Sequence, residues 1–322
     1  MISQKIIPVV TKVNTSRFPE FTDCMICPRE CHTDRRVDKS GFCGSGTGFH
    51  IGSICVHKGE EPVLSGTRGM CNVFFTRCNM RCIYCQNAQI SRNRGPILGR
   101  EMALSEIVTQ IEDILKTGIS IVGFVSPSHV IPQMRAIIEA IRADGLNPTF
   151  VMNTNAYDKV ETIASLEDMI DVYLPDLKYM DADLAACYSA TPDYPEVATA
   201  AIAEMYHQKG AQIVLDDEGL IRSGLIIRHL VLPGQIENSV ACLRFIAKHL
   251  SPEIHLSVMS QYRPTEAVRN HPLLGRTLYP EEYEEVLDEL DRLGLDNGWI
   301  QEMKSSEEYV PDFSSAHPFG DL

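Results

Sequence analysis

No run of about 18 apolar residues occurs anywhere in the 322-residue sequence, so it offers no conventional membrane-spanning helix. Basic residues are scarce: 29 Lys and Arg stand against 43 Asp and Glu, a formal net charge of −14. Surfaces that wrap nucleic acid or lie on anionic lipid need the opposite sign. The opening stretch, Met1 to Pro8, has no apolar core of the length a signal peptide uses. These absences lead us to expect a cytoplasmic protein with neither nucleic acid nor membrane as partner. Disorder is excluded by composition, since 44% of residues are hydrophobic and 22% charged. Cysteine is almost missing from the last three quarters of the chain, where only Cys187 and Cys242 occur. Both read as packing residues.

The beginning is the reverse. Nine of the 11 cysteines fall between Cys24 and Cys85. A reducing compartment disfavours disulfides, and a chain this long does not need them to fold. Tight spacing points instead to metal, because thiolates are soft ligands for zinc and for iron–sulfur iron. One group is Cys24, Cys27 and Cys31, with Cys43 after eleven intervening residues. The other is Cys78-x3-Cys82-x2-Cys85, with Cys55 and Cys71 unassigned between the two.

Three thiolates in eight residues can hold three irons of a [4Fe–4S] cube, and no fourth cysteine follows. A ferredoxin-type site would close the cluster with four. Three leave one iron open to an outside ligand, which is what S-adenosylmethionine (SAM) chemistry requires. The segment Cys78-Asn79-Met80-Arg81-Cys82-Ile83-Tyr84-Cys85-Gln86-Asn87 resembles the radical SAM signature. Before it, in order, come Cys24-x2-Cys27-Pro28-Arg29-x-Cys31, Gly41-Phe42-Cys43-Gly44, Gly59-Glu60-Glu61-Pro62 and Ser65-Gly66-Thr67-Arg68-Gly69. Leu174-Pro175-Asp176-Leu177-Lys178 and Val231-Leu232-Pro233-Gly234 come after. Together these resemble the pyruvate formate-lyase activating enzyme-like radical SAM proteins.

The resemblance implies reductive cleavage of SAM at a [4Fe–4S] cluster, giving a 5′-deoxyadenosyl radical that abstracts hydrogen from a substrate. A glycine of a glycyl-radical enzyme is one such substrate; a small molecule or another peptide is another. Flavodoxin or ferredoxin would supply the electron. The alternative is a non-catalytic zinc or iron–sulfur protein serving cluster assembly, electron transfer or protein interaction.

Residues 1–70 read as an irregular, cysteine-rich metal-binding region, and 71–322 as the radical SAM barrel. Gly44, Gly46 and Gly48 do not form a nucleotide loop, because no strand precedes them and no helix signal follows. From residue 72 apolar runs alternate with helical periods. Strands are expected at 72–76, 119–125, 149–152, 172–174, 224–232 and 254–258. Helices are expected at 104–115, 132–142, 195–208 with Asp193 as cap, around 240–250, and at 280–293. Repeated strand–helix units imply parallel strands with helical crossovers, and six fit the α/β, partial (β/α)6 TIM-type barrel that the resemblance implies.

Sites in such barrels gather at the C-terminal ends of the strands. Candidates to bind SAM are therefore Tyr84, Gln86 and Asn87 in the motif, Ser126 after the second strand and Asn153 at the third. Asp176 and Lys178 follow the fourth, and Arg228 lies in the fifth. Family members carry a Gly-Gly-Glu type segment after the second strand, where this chain has Val125-Ser126-Pro127-Ser128-His129. In the first group, Cys24, Cys27, Cys31 and Cys43 form a complete four-thiolate set, for which zinc and a closed auxiliary cluster fit equally well.

Overall fold

A computed structural model describes residues 18–37, 41–303, 311–315 and 317–320. The opening octapeptide considered above lies outside them. In chain order the elements are β1 (Phe49–His57), α1 (Pro62–Ser65), β2 (Met70–Phe75), α2 (Ala88–Ser91), β3 (Arg100–Met102), α3 (Leu104–Leu115), β4 (Ile121–Val125) and α4 (Ile131–Ala143). Then come β5 (Thr149–Thr154), α5 (Val160–Ala164), β6 (Val172–Pro175), α6 (Ala182–Ser189), α7 (Tyr194–Lys209), β7 (Val214–Leu215) and β8 (Ile221–Leu230). The chain continues through α8 (Ile236–Phe245), β9 (His255–Met259), α9 (Pro280–Arg292) and β10 (Gly298–Ile300).

One sheet runs β10-β9-β8-β6-β5-β4-β2-β1-β3. From β2 to β10 every neighbouring pair is parallel. Buried apolar runs explain this: β4, β5 and β6 are buried along their whole length, as strands covered on both faces must be. Helices cover the outside. On α3, Ile107, Val108 and Ile111 face inward, three and four residues apart. The result is the expected α/β architecture, an open partial barrel, and the six expected strands are β2, β4, β5, β6, β8 and β9.

Three local expectations change. Residues 49–57 are not irregular: β1 pairs antiparallel with β2 along its length. Its alternation is masked by Gly52 and by a register shift between Ile51 and Ser53. Asp193 stands at the N-cap of α7 but does not cap it. Its carboxylate accepts instead from the Tyr157 hydroxyl at 2.9 Å. Cys242 is buried, whereas Cys187 on α6 is exposed.

Candidate active site

The barrel encloses a cavity of about 440 Å³, a volume typical of small-ligand sites. Cys78, Cys82 and Cys85 form its upper wall, on the loop after β2. That loop is tied to α6, since Arg81 N donates to Ser189 O at 3.1 Å and Ile83 N to Tyr188 O at 2.9 Å. Asn79 is fully buried and donates to Tyr157 O at 2.7 Å. Each thiol sulfur has polar company. Asn155 Nδ2 reaches Cys78 Sγ at 3.3 Å, Ser189 Oγ reaches Cys82 Sγ at 3.0 Å, and Ser91 Oγ lies 3.2 Å from Cys85 Sγ. Burial, with the neighbouring Cys82, pushes the Cys78 thiol up to about 12. Burial also lifts Cys82, to about 11, against the pull of the Lys178 ammonium. A bound cation reverses that balance and keeps both as thiolates.

The Ser189 bond has a direction. Its hydroxyl proton goes to Cys82, so its oxygen accepts from Tyr179 at 2.7 Å, and Tyr179 in turn accepts from Tyr84 at 2.6 Å. Each hydroxyl has one proton, so a chain Tyr84, Tyr179, Ser189 ends on the Cys82 sulfur.

Below the thiols lies a charged network. Asp176 accepts from Lys178 Nζ at 2.8 Å and from Arg228 Nε at 2.9 Å. The other Arg228 nitrogens bond Glu60 at 2.9 Å and Asn153 at 3.1 Å. Burial alone would raise Asp176, but Arg228 and Lys178 outweigh it and hold the carboxyl at about 2. Burial opposes charge on Arg228 and Lys178 too, and the carboxylates facing them keep both cations charged. All three Arg228 nitrogens are therefore committed within the protein.

All eight residues expected to bind SAM line this cavity: Tyr84, Gln86 and Asn87; Ser126 and Asn153; Asp176, Lys178 and Arg228. Gln86 also donates to Gln261 O across the barrel at 3.1 Å. Ser126 holds φ at 54°, a left-handed value that favours glycine. Ser128 and His229, at strand ends, point elsewhere: Ser128 bonds Thr154, and His229 bonds Leu177 O and Ser239.

The sequence did not mark Glu60 and Glu61 as site residues, yet both line the cavity. Because His57 pairs with Met70, the turn after β1 lies at the N-terminal end of the parallel strands, and the two acids enter from the floor. Asn72 Nδ2 donates to Glu60 at 2.9 Å. Gly123 makes room for this, since a Cβ there would collide with the Asn72 side-chain oxygen. Glu61 is buried, and its Oε2 has no hydrogen-bond partner. Burial raises its pKa, Arg228 opposes the rise and Glu60 adds to it. The C-terminal segment closes one side, where Pro311 and Phe319 join the lining and the Phe319 ring lies 4.0 Å from that of His57, tilted by 41°.

Cys24, Cys27, Cys31 and Cys43 line a separate, smaller cavity. Cys55 and Cys71 are buried in β1 and β2 and line neither.

The barrel with thiols at the end of its first parallel strand defines a class: enzymes that anchor a metal cofactor above an enclosed substrate space. Residues 72–241, just over half the chain, match the Radical SAM superfamily. The chain belongs to that superfamily, whose chemistry brings a [4Fe–4S] cluster and SAM. An uncharacterized protein of Methanocaldococcus jannaschii is 28% identical over 286 residues, 86% of this chain and 76% of its own. Among solved structures, HydG, a maturase of the [FeFe]-hydrogenase, aligns at TM-score 0.52 and 13% identity, over 77% of this chain and 56% of its own. HydG from Carboxydothermus hydrogenoformans gives 0.51 and 13%, over 71% of this chain and 52% of its own. At such identities the likeness is one of fold, and this chain spans little more than half of either HydG. No helix among the described residues is long and apolar enough to cross a membrane.

The residues fit these cofactors. Three thiols with hydrogen-bond donors at their sulfurs suit a cluster that keeps one iron open. The cavity continues from the thiols to Glu60 and Glu61.

Proposed function

We propose that this protein generates a 5′-deoxyadenosyl radical and uses it to take hydrogen from a substrate held below SAM, a glycine in a partner protein being the substrate we favour. Cys78, Cys82 and Cys85 hold the cluster, which when bound supplies the electron that cleaves SAM. Lys178, whose charge acts on both the Cys78 and Cys82 thiols, would pair with the SAM carboxylate, and Tyr84, Gln86, Asn87, Ser126 and Asn153 would supply contacts for its adenine, ribose and amine. The activating-enzyme resemblance supports the glycine. A ferredoxin or flavodoxin is the electron donor, and the cytoplasm the place of work.

The observation that carries this reading is the single cavity joining the three motif cysteines to the polar strand ends. Anaerobic protein, reconstituted with iron and sulfide, is mixed with SAM and dithionite. Formation of 5′-deoxyadenosine by the wild type and not by Cys82→Ala is expected; equal yields overturn the reading. Adding a peptide deuterated at its glycine Cα then tests the substrate, through deuterium in the 5′-deoxyadenosine.

A further inference from the structure

We propose that Arg77, Arg81, Arg92 and Arg94 form the docking face for an acidic one-electron carrier protein, beside the loop that holds the three motif cysteines. The inference rests on the reading that the cluster takes its electron from such a carrier, and it says where the carrier sits.

The chain is acidic overall, with a formal net charge of −14, yet between Glu61 and Glu101 the sequence holds no Asp or Glu. That stretch carries Cys78, Cys82 and Cys85 and six arginines, Arg68, Arg77, Arg81, Arg92, Arg94 and Arg100. The fold pairs the outer two, Arg68 with Glu218 and Arg100 with Glu106. Among the described residues the inner four have no carboxylate in ion-pair range.

The structure gathers those four against Cys78–Met80. Arg77 Nη1 donates to Arg92 O at 2.7 Å and to Gly95 O at 3.2 Å. Asn93 Nδ2 donates to Cys78 O at 3.4 Å, and Asn93 Oδ1 accepts from Arg81 Nε at 3.1 Å. Arg92 and Arg94 flank Asn93; both are exposed, and neither lines the cavity. Arg81 is packed over the Phe42 ring, 3.9 Å from its centre, and feels the charges of Arg94 and Arg29. Like charges held this close are costly until an anion meets them. A [4Fe–4S]²⁺ cube on three thiolates brings a single negative charge, which leaves most of these cations to a partner.

Position selects the partner. Electrons cross protein usefully only over short distances, so a donor must reach the loop itself, and here Asn93 touches the backbone of a cluster ligand between two exposed cations. Opposite charge also steers and orients such an encounter. A nucleic acid has the right sign but needs basic surface along its length, and this patch is bounded by an acidic chain.

The test uses the reconstituted full chain without SAM, so a failure of the 5′-deoxyadenosine assay does not decide it. A flavodoxin and a ferredoxin serve as probes. Calorimetry with the oxidised carrier reads binding. Stopped-flow bleaching of the cluster's visible absorbance reads transfer, in which one electron leaves the reduced carrier and enters the cluster. Arg92→Glu/Arg94→Glu is expected to weaken carrier binding about tenfold and to slow carrier-driven reduction, while dithionite reduces variant and wild type within about twofold of each other. Arg92→Lys/Arg94→Lys keeps the charge and should bind within about threefold of wild type. Wild-type affinity should fall as salt rises from about 50 mM to about 300 mM. The proposal is overturned if neither carrier binds, if the Glu variant binds as well as wild type, or if dithionite reduction slows equally. Salt-independent affinity also overturns it, as does a single-stranded RNA that binds more tightly than either carrier. The salt series on the unmutated chain decides the matter where the Glu variant fails to fold.

Discussion

Replacing Asp176 with Asn removes the charge at the centre of the buried network while keeping its shape and one acceptor oxygen. Asn is in effect a permanently protonated Asp. The stability it forfeits is therefore the free energy by which the fold prefers the ionised carboxyl. That carboxyl titrates at about 2 instead of 3.8, and each unit is worth about 1.4 kcal/mol. The expected loss at pH 7 is about 2 kcal/mol. The Asp176 side chain is only 18% exposed, so solvent screening takes little from this figure. The sign follows from a depressed pKa. The contribution is fully present above 3.8, falls to roughly half near pH 3, and disappears as the pH drops through about 2. Urea unfolding of wild type and Asp176→Asn, both without metal and under argon, measures the gap. A gap below about 0.5 kcal/mol at pH 7, or one that stays constant from pH 7 to pH 3, would refute the argument.

Three further changes probe other parts of the site. Ser189→Ala deletes the hydroxyl that donates to Cys82 Sγ. Hydrogen bonds to sulfur favour the reduced cluster, so the cluster's potential should fall by about 40 mV, the one-electron equivalent of about 1 kcal/mol, in an EPR-monitored redox titration. Glu61→Gln replaces a buried acid whose pKa is raised. A raised acid adds stability below its unfolded pKa of 4.5 and loses it as pH rises through the folded one, so the variant should gain on the wild type as the pH is raised above 4.5 in urea unfolding. Ser126→Gly relieves the left-handed φ of 54°. Gain from strain and loss from added chain entropy leave a net stabilisation of about 0.5 kcal/mol, and thermal unfolding of the metal-free chain reads it.

Much of the barrel was legible because its signals are local. The apolar period of 104–115 matches α3 at both ends, and buried runs such as Val122 to Val125 have no other use than a covered strand. Once strand ends were placed, the polar residues just beyond them could be read as cavity residues, since barrel geometry brings those ends together. Other features depend on distant pairing. Whether β1 exists is decided by β2, and only that pairing carries Glu60 and Glu61 under the barrel. The α6 helix has weak amphipathic patterning, so nothing in the sequence announced Ser189 behind Cys82. Phe319 reaches the cavity from the end of the chain, more than two hundred residues from its partners His57 and Phe74.

The charge ladder bears on what the cavity accepts. Lys178, Asp176, Arg228 and Glu60 pair in sequence, two cations against two anions, so the network presents no net positive charge. An anionic substrate would have to draw Arg228 away from Asp176 and Glu60, and breaking such buried pairs costs about 3–5 kcal/mol. A neutral substrate asks for no such exchange. The pairing of Arg228 with Asp176 and Glu60 thus weighs against a free carboxylate or phosphate ligand beside it.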